Sequence, residues 1–198
     1  KFGETKKEIK SLGYKNFLTA DIRISDKYKS YTALSISKGI EKISKIISSY
    51  NPEALIVYAD RFEGFAAVIA GSQMNIPTIH IEGGDITEGG ALDDSVRHAM
   101  TKLSHFHFTT NPEATKRIIA MGEEKWRVKT IGFPAVDLIK KKIFASQREL
   151  VNKFNLNPND KIIIFTQHSV TTEYKKSYNQ LKSSIKALEK IAKKNIKV

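Results

Sequence analysis

Proton-transferring and amide side chains follow four apolar segments of the chain, each of which is predicted to be a buried strand. The segments are ALIVYA (54–59), TIHI (78–81), HFHFTT (105–110) and KIIIFTQ (161–167), and the residues that follow them are Asp60, Glu82, Asn111 and His168. Carboxylates and imidazoles are the groups that most often give and take protons in enzymes. These residue types indicate acid–base chemistry, provided that the four segments meet at one edge of a sheet.

The stretch HIEGGDITEGGALDDSVRH, from His80 to His98, concentrates more groups of this kind. It contains five acidic residues, four glycines and two histidines. The glycine pairs at 83–84 and 89–90 let the backbone bend freely and approach a ligand closely. Asp93 and Asp94 are expected at the start of the following helix. A simple connector needs no such density of functional groups.

Several of these residues also have a purely structural interpretation. Asp60 begins the sequence DRFE, which has the spacing of a capping box. Either Asp93 or Asp94 is placed to cap the following helix, and Asp93 is also placed to pair with Arg97 four residues later. His105 and His107 alternate with phenylalanines in one strand, a pattern more typical of sheet packing than of ligand binding.

Alternating hydrophobic periods predict the elements that position these residues. Helices are expected at 31–50, 62–74, 94–103, 112–121 and from Ala135, and strands at 54–59, 78–81, 105–110, 127–132 and 161–168. Repeated strand–helix units with short connections predict an α/β fold, with a parallel sheet covered by helices on both faces. In such a sheet the ligand crevice lies beyond the carboxyl ends of the strands, where the four polar positions fall.

Composition narrows the functional classes. The chain has 198 residues, of which 40% are hydrophobic and 27% charged, as expected for a folded protein. Its net charge of +12 comes mostly from scattered lysines opposite apolar helix positions, so no nucleic-acid partner is expected. No apolar run approaches the length of a membrane span, and there is no cysteine. A cytoplasmic protein is the interpretation that fits best.

The sequence resembles the hydrolysing UDP-N-acetylglucosamine 2-epimerases of sialic-acid-type sugar pathways. The resemblance runs from Ala54 to Tyr174 and is most specific in HIEGG, DDSVRHA and QHSVTT. It implies two Rossmann-like domains of glycosyltransferase-B type with parallel sheets and an active site between them. The expected divisions are an N-terminal domain at 1–134, a helical linker at 135–159 and the start of a C-terminal domain at 160–198. The family's first strand and C-terminal nucleotide-binding residues are expected to lie outside this sequence.

The resemblance also implies a reaction. Members of the family remove UDP by anti elimination across C1 and C2 of the sugar, then hydrate the glycal to free N-acetylmannosamine. The matching catalytic residues are Asp60, Glu82, Asp93 and His168, and those expected to contact substrate or nucleotide are Arg61, Arg97, Gly83 and Asn111. No cofactor and no metal are expected. The expected partners are the UDP-sugar and further copies of the chain, as a homodimer or tetramer, with no membrane.

Other interpretations remain open at this stage. The segment DITEGGAL looks longer than in sialic-acid members and resembles the branch that acts on UDP-N,N′-diacetylbacillosamine. A metal-dependent hydrolase could use His80, Glu82, Asp85 and His168, although no compact ligand motif such as HExxH is present. A nucleotide-binding module without catalysis is the third alternative.

Overall fold

The computed structural model describes residues 5–25, 30–87, 92–168, 176–192 and 196–197. The chain divides into two compact units, residues 1–134 and 135–198. Within the described ranges, no helix is long and apolar enough to cross a membrane.

The first unit is built on a parallel sheet whose strands follow one another in chain order. Its elements are α1 (Thr5–Ser11), α2 (Tyr31–Tyr50), β1 (Leu55–Tyr58), α3 (Phe62–Gln73), β2 (Thr78–Ile81), α4 (Leu92–Leu103), β3 (Phe106–Thr109), α5 (Pro112–Ala120), a short 3-10 helix (Lys125–Arg127) and β4 (Val128–Thr130). The strands pair in parallel in the order β1-β2-β3-β4. The predicted α/β class with a parallel sheet is confirmed.

Local sequence signals explain where the helices begin and end. Helix α2 ends at Tyr50, where the C-cap residue Asn51 adopts the left-handed conformation and is followed by Pro52. Helix α5 begins with Pro112 in its first turn, and the side chain of Asn111 accepts a hydrogen bond from the Ala114 N–H at 2.8 Å.

Helices α3, α4 and α5 cover the same face of the sheet. On that face Val57 packs with Val68 of α3, His80 bonds to Thr101 of α4, and Thr109 bonds to Thr115 of α5. The strand register aligns these three strand positions on one side. Right-handed crossovers between strands taken in order place every connecting helix on the same side.

The expectation of helices on both faces is therefore not met in the described first unit. The opposite face of β1 presents Ile56 and Tyr58, which are 63% and 49% exposed. The prediction overlooked that a change of helix side requires the strand order to reverse, which does not occur between β1 and β4.

The second unit contains α6 (Ala135–Lys140), α7 (Gln147–Phe154), β5 (Lys161–Ile162), α8 (Ser177–Ala192) and β6 (Ile196–Lys197). A capping box formed by Ser146 and Glu149 starts α7. The predicted strand at 161–168 is wrong in its length, because only β5 is a strand. Its partner β6 offers two residues for pairing, and Ile164 beyond it is 91% exposed. The assignment of the two units as a linker and two domains of a larger enzyme stays a prediction.

A substitution at the contact between α2 and α3 tests this packing. A Cβ on Gly39 would lie 2.8 Å from the Cβ of Ala66. We expect Gly39→Ala to lower the free energy of unfolding by about 1–2 kcal/mol, since overpacking outweighs the helix propensity that alanine adds. In the control Gly64→Ala, the new Cβ meets the flexible end of Met100 at 3.1 Å and the Tyr58 carbonyl at an ordinary 3.8 Å, and the substitution should destabilise less. Urea denaturation measures both, and a Gly39→Ala protein at least as stable as the wild type would contradict the packing.

Candidate functional site

Asp60, Glu82 and Arg97 line one polar cleft at the carboxyl ends of β1 and β2. The cleft has a volume of about 340 Å³, and its other lining residues are Ala59, Asp85, Ile86 and Thr87. The structure thus brings together three of the residues that the sequence selected. Within the described lining, Arg97 is the one cationic side chain among three carboxylates.

Arg97 is the most highly connected side chain of the cleft. Its guanidinium donates to the Asp60 carboxylate through Nη2, and through Nη1 to Asp94 Oδ1 at 2.8 Å and the Asp85 carbonyl at 2.7 Å. The side chain is only 10% exposed. The structural alternative in which Arg97 pairs with Asp93 is wrong: the partner within α4 is Asp94, one turn away at i,i+3, and Asp60 is the other carboxylate.

Asp60 does not cap the helix that follows it. The N-cap of α3 is Arg61, which makes no side-chain capping bond, and the Asp60 carboxylate instead accepts from Arg97 Nη2. The capping-box interpretation of DRFE is therefore wrong. The Asp60 side chain is 22% exposed, so a ligand in the cleft can reach it.

Glu82 occupies a strained turn directly after β2. Its φ of 67° lies in the left-handed region, and its N–H donates to the Phe108 carbonyl at 2.9 Å. Tyr58, the last residue of β1, lies close enough that partial burial and the Glu82 carboxylate raise the pKa of Tyr58 to about 12. Tyr58 was not among the site residues predicted from the sequence, although its position at a strand end was the available signal.

Asp85 joins the turn after β2 to the turn after β3. Its carboxylate accepts from Thr110 Oγ1 at 3.1 Å and from Asn111 Nδ2 at 2.9 Å. Both ends of the Asn111 amide are thus engaged within the protein, because its Oδ1 caps α5 through Ala114. Contact between Asn111 and a substrate stays a prediction.

Asp93 and Arg61 lie on exposed surface. Asp93 is in the first turn of α4 and makes no hydrogen bond or ion pair with any residue that the structure describes. The side chain of Arg61 is 72% exposed and bonds Glu63 through Nε at 3.1 Å and Nη2 at 2.8 Å. Its pKa is raised chiefly by Glu63, with smaller contributions from Asp60 and Asp93.

Asp94, in the first turn of α4, binds Thr87, which is the last described residue before that helix. Both of its carboxylate oxygens accept from the Thr87 N–H, at 3.0 Å each. The bonds from Thr87, followed by Arg97, lower the pKa of Asp94. The neighbouring Asp93, in contrast, is exposed to solvent.

Gly83 owes its identity to packing. A Cβ at this position would lie 2.8 Å from His80 Nδ1 and 2.9 Å from Thr101 Oγ1, both buried beneath it. Its predicted contact with substrate stays untested. His168 belongs to the second unit, where it is exposed, and its predicted catalytic role likewise stays a prediction.

The histidines of the sheet are packing residues, as the alternating pattern in β3 predicted. His105 Nδ1 accepts from the Thr78 N–H at 3.1 Å, and buried His107 contacts Glu123 through Nε2 at 3.3 Å. His80 is fully buried, with Nε2 2.7 Å from the Ala59 carbonyl and Nδ1 3.1 Å from Thr101 Oγ1. Neither nitrogen of His80 is free to bind a metal. Among the described residues, no three His, Asp or Glu side chains are grouped closely enough to hold one.

A parallel α/β sheet with carboxylates gathered beyond its strand ends defines a Rossmann-like protein with a polar ligand cleft. Residues 3–198 match the UDP-N-acetylglucosamine 2-epimerase family, and the chain belongs to that family.

Two relatives and one solved structure illustrate the likeness. The chain is 30% identical over 188 residues to the GDP/UDP-N,N′-diacetylbacillosamine 2-epimerase (hydrolyzing) of Campylobacter jejuni, covering 95% of this chain and 48% of the relative. It is 30% identical over 187 residues to the UDP-N,N′-diacetylbacillosamine 2-epimerase (hydrolyzing) of Legionella pneumophila, covering 94% and 49%. The chain therefore spans about half the length of these curated relatives.

The structure of UDP-GlcNAc 2-epimerase from Methanocaldococcus jannaschii matches with a TM-score of 0.65 at 18% identity, over 80% of this chain and 44% of that one. At this identity the likeness concerns the fold alone. It confirms the predicted fold class, Rossmann-like and of glycosyltransferase-B type.

The burial of His80 predicts a specific dependence of stability on pH. Burial, opposed by the bond to the Ala59 carbonyl, lowers the pKa of His80 from 6.5 to about 4. The charged groups that also act on it are His107, Arg97 and Asp60. Between pH 6.5 and about 4, His80 is therefore protonated in the unfolded chain but neutral in the folded protein.

As the pH falls from 6.5 to 4, the free energy of unfolding should therefore decrease by up to about 3 kcal/mol because of His80. Above pH 6.5, His80 should cause no further change with pH. Urea denaturation at several pH values measures it. His80→Asn removes the titrating group and keeps His107, so its stability should fall less steeply over the same window. Equal slopes for both proteins would contradict the prediction.

Proposed function

We propose that the protein is a hydrolysing nucleotide-sugar 2-epimerase, which converts UDP-N-acetylglucosamine to N-acetylmannosamine and UDP. The observation that carries the proposal is the meeting of Asp60 and Glu82 in one cleft of a chain that belongs to this family. A cytoplasmic location and a homodimeric or tetrameric state are part of the same proposal.

The proposed reaction has two stages. A carboxylate removes the proton from C2, the bond from C1 to the diphosphate oxygen breaks, and UDP leaves with that electron pair. Water then adds to the C1–C2 double bond of the glycal. Its hydroxide bonds to C1, and a proton is delivered to C2 on the face opposite to the one from which the first proton was removed, which inverts C2. Each stage needs a positioned acid or base, for which Asp60, Glu82, Asp93 and His168 are the proposed residues.

The contacts of the cleft support different tasks for its charged groups. Arg97 holds one oxygen of Asp60, so the orientation of this carboxylate is fixed before substrate binds. Arg97 itself is largely occupied by protein oxygens, whereas Arg61 is exposed and paired with Glu63. We assign Arg61 as the principal cation for the diphosphate, with Arg97, Gly83 and Asn111 as the further substrate contacts.

A second substrate, UDP-N,N′-diacetylbacillosamine, is favoured by two observations. It is the substrate for which the two relatives above are named. In addition, Ile86 is 61% exposed and is the one large apolar side chain among the described residues that line the cleft. This sugar has an acetamido group in place of the 4-hydroxyl and lacks the 6-hydroxyl, so it offers more apolar surface than N-acetylglucosamine.

Conservative substitutions of the three carboxylates test the reaction. We expect Asp60→Asn, Glu82→Gln and Asp93→Asn in the full-length protein to lower turnover by about 100-fold or more, because each removes a group that transfers protons. UDP release and the free sugar are measured together. Glu41→Gln is the control, since Glu41 is an exposed residue of α2 that pairs with Lys45. Near-normal turnover in all three variants would exclude the proposed roles.

Isotope incorporation tests the elimination independently. In D₂O the free sugar should carry one deuteron at C2, because the proton removed there is replaced from water. Product that lacks deuterium at C2 would rule out the elimination route even if turnover were fast.

A comparison of kcat/KM for the two UDP-sugars decides between the substrates. If UDP-N,N′-diacetylbacillosamine is preferred, Ile86→Ser should reduce kcat/KM for it by about 10-fold or less, as for the loss of a few apolar contacts, and should leave UDP-N-acetylglucosamine almost unaffected. An equal loss for both sugars would remove Ile86 from the choice of substrate.

A further inference from the structure

His80 lies directly beneath both turns that present the proposed catalytic carboxylates. It is the third residue of β2, is fully buried, and is paired in register with Val57 of β1 and His107 of β3. One ring nitrogen contacts the turn after β1, and the other contacts α4. It does not face the cleft and has no part in the proton transfers proposed above.

The two contacts of His80 define its tautomer. The Ala59 carbonyl can only accept a hydrogen bond, so Nε2 carries the proton and donates to it at 2.7 Å. In the neutral ring, Nδ1 then accepts from the Thr101 hydroxyl at 3.1 Å. The single proton of this hydroxyl is shared with the Arg97 carbonyl, to which Thr101 Oγ1 also donates at 3.1 Å, so Thr101 links His80 to the helical turn of the arginine that binds Asp60.

The bond from Nε2 restrains a strained residue. Ala59 has a φ of 59°, a left-handed conformation that is strained for residues with a Cβ. Its two backbone groups are both bonded to β2: the N–H donates to the Ile81 carbonyl at 2.9 Å, and the carbonyl accepts from His80. The next residue is Asp60, so its direction depends on the conformation of Ala59.

The opposite side of the ring supports the turn after β2. Gly83 approaches His80 Nδ1 so closely that a Cβ there would lie 2.8 Å from it. Gly83 directly follows Glu82, which is itself held at positive φ. One imidazole is thus in contact with the residue before Asp60 and with the residue after Glu82.

We propose that His80, with Thr101 as its partner, is a positioning residue that fixes the turns of Asp60 and Glu82 relative to each other. The inference rests on the proposed function, because it concerns the carboxylates of that reaction. His80 acts through Ala59 and Gly83 and touches no substrate.

Paired substitutions separate positioning from stability. Gln at position 80 keeps an amide N–H at about the reach of Nε2, whereas Asn ends one bond short of it. In the full-length protein we expect His80→Asn to lower kcat by about 10- to 100-fold with little change in KM, as when a supporting group of a site is lost. His80→Gln should recover most of kcat.

The neighbouring His107 supplies the matched control. It is equally buried and lies beside His80 in the sheet, but its ring contacts Glu123 rather than a residue of the cleft. His107→Asn should destabilise the protein and leave the kcat of the folded fraction unchanged. An equal loss of kcat in His80→Asn and His107→Asn, a wild-type kcat in His80→Asn, or no recovery in His80→Gln would each overturn the inference.

A second pair of variants applies if His80→Asn fails to fold. Thr101→Val preserves the shape of the side chain and removes the hydroxyl that donates to Nδ1, while Thr101→Ser retains the hydroxyl. Thr101→Val should lower kcat and Thr101→Ser should not. Equal kcat values in these two variants would contradict the role of Thr101 and with it the proposed pair.

Crystal structures distinguish a failure of this inference from a failure of the proposed function. If the wild-type protein converts neither UDP-sugar, the proposed function fails and the geometry alone is tested. In His80→Asn, Ala59 should leave positive φ and Asp60 should separate from Arg97, whereas in His107→Asn both should stay in place. An unchanged Ala59 and Asp60 in His80→Asn would overturn the inference.

Discussion

The burial of one positive charge is the constraint on which the cleft depends. Removing a guanidinium from water costs several kcal/mol unless hydrogen-bonded anions compensate for it. Arg97 is 10% exposed, and its compensating oxygens belong to Asp60, Asp94 and Asp85. These residues come from the turn after β1, from α4 and from the turn after β2. The bonds that neutralise this charge therefore also fix three segments of the chain relative to one another. The same contacts determine both the geometry of the cleft and its charge balance.

The backbone is strained at the ends of the two strands that carry the cleft. Ala59 and Glu82 both adopt positive φ directly after β1 and β2, where no glycine is present to do so without cost. Such conformations persist only where the surrounding structure determines them. Here the determining contacts are backbone bonds across the sheet and the His80 ring below it. Two of the strained residues of the chain thus direct the proposed catalytic carboxylates.

The elements of the first unit could be predicted well because their signals are local. Apolar periodicity located β2 to the residue, and Asn51 with Pro52 located the end of α2. The pairing of side chains could not be predicted, because it depends on tertiary geometry. Spacing allowed Arg97 to meet either Asp93 or Asp94, and in the structure it is Asp94, which also accepts from the Thr87 N–H, that pairs with Arg97.

The same limit applies to the remaining differences. The DRFE spacing suggested a cap for Asp60, but a buried cation on another helix is the stronger partner. In the second unit, the apolar run at 161–168 had the composition of a buried strand, yet a strand extends only as far as its neighbour pairs with it. The importance of His80 was also hidden, since its role depends on a carbonyl 21 residues away in the chain.

The strand order has a consequence for how the protein is made. Because β1, β2, β3 and β4 lie side by side in the order of synthesis, each new strand joins the edge left by the one before it. Within this sheet, as far as the structure describes it, no strand is inserted between two others, so loop closure stays short at every step. The Arg97 ion pairs with Asp60 and Asp94 lie within a span that ends at α4. These ion pairs can therefore form on the ribosome before β3 has emerged, whereas the turn of Glu82 and the Asp85 carboxylate gain their bonds to Phe108, Thr110 and Asn111 only when β3 joins the sheet.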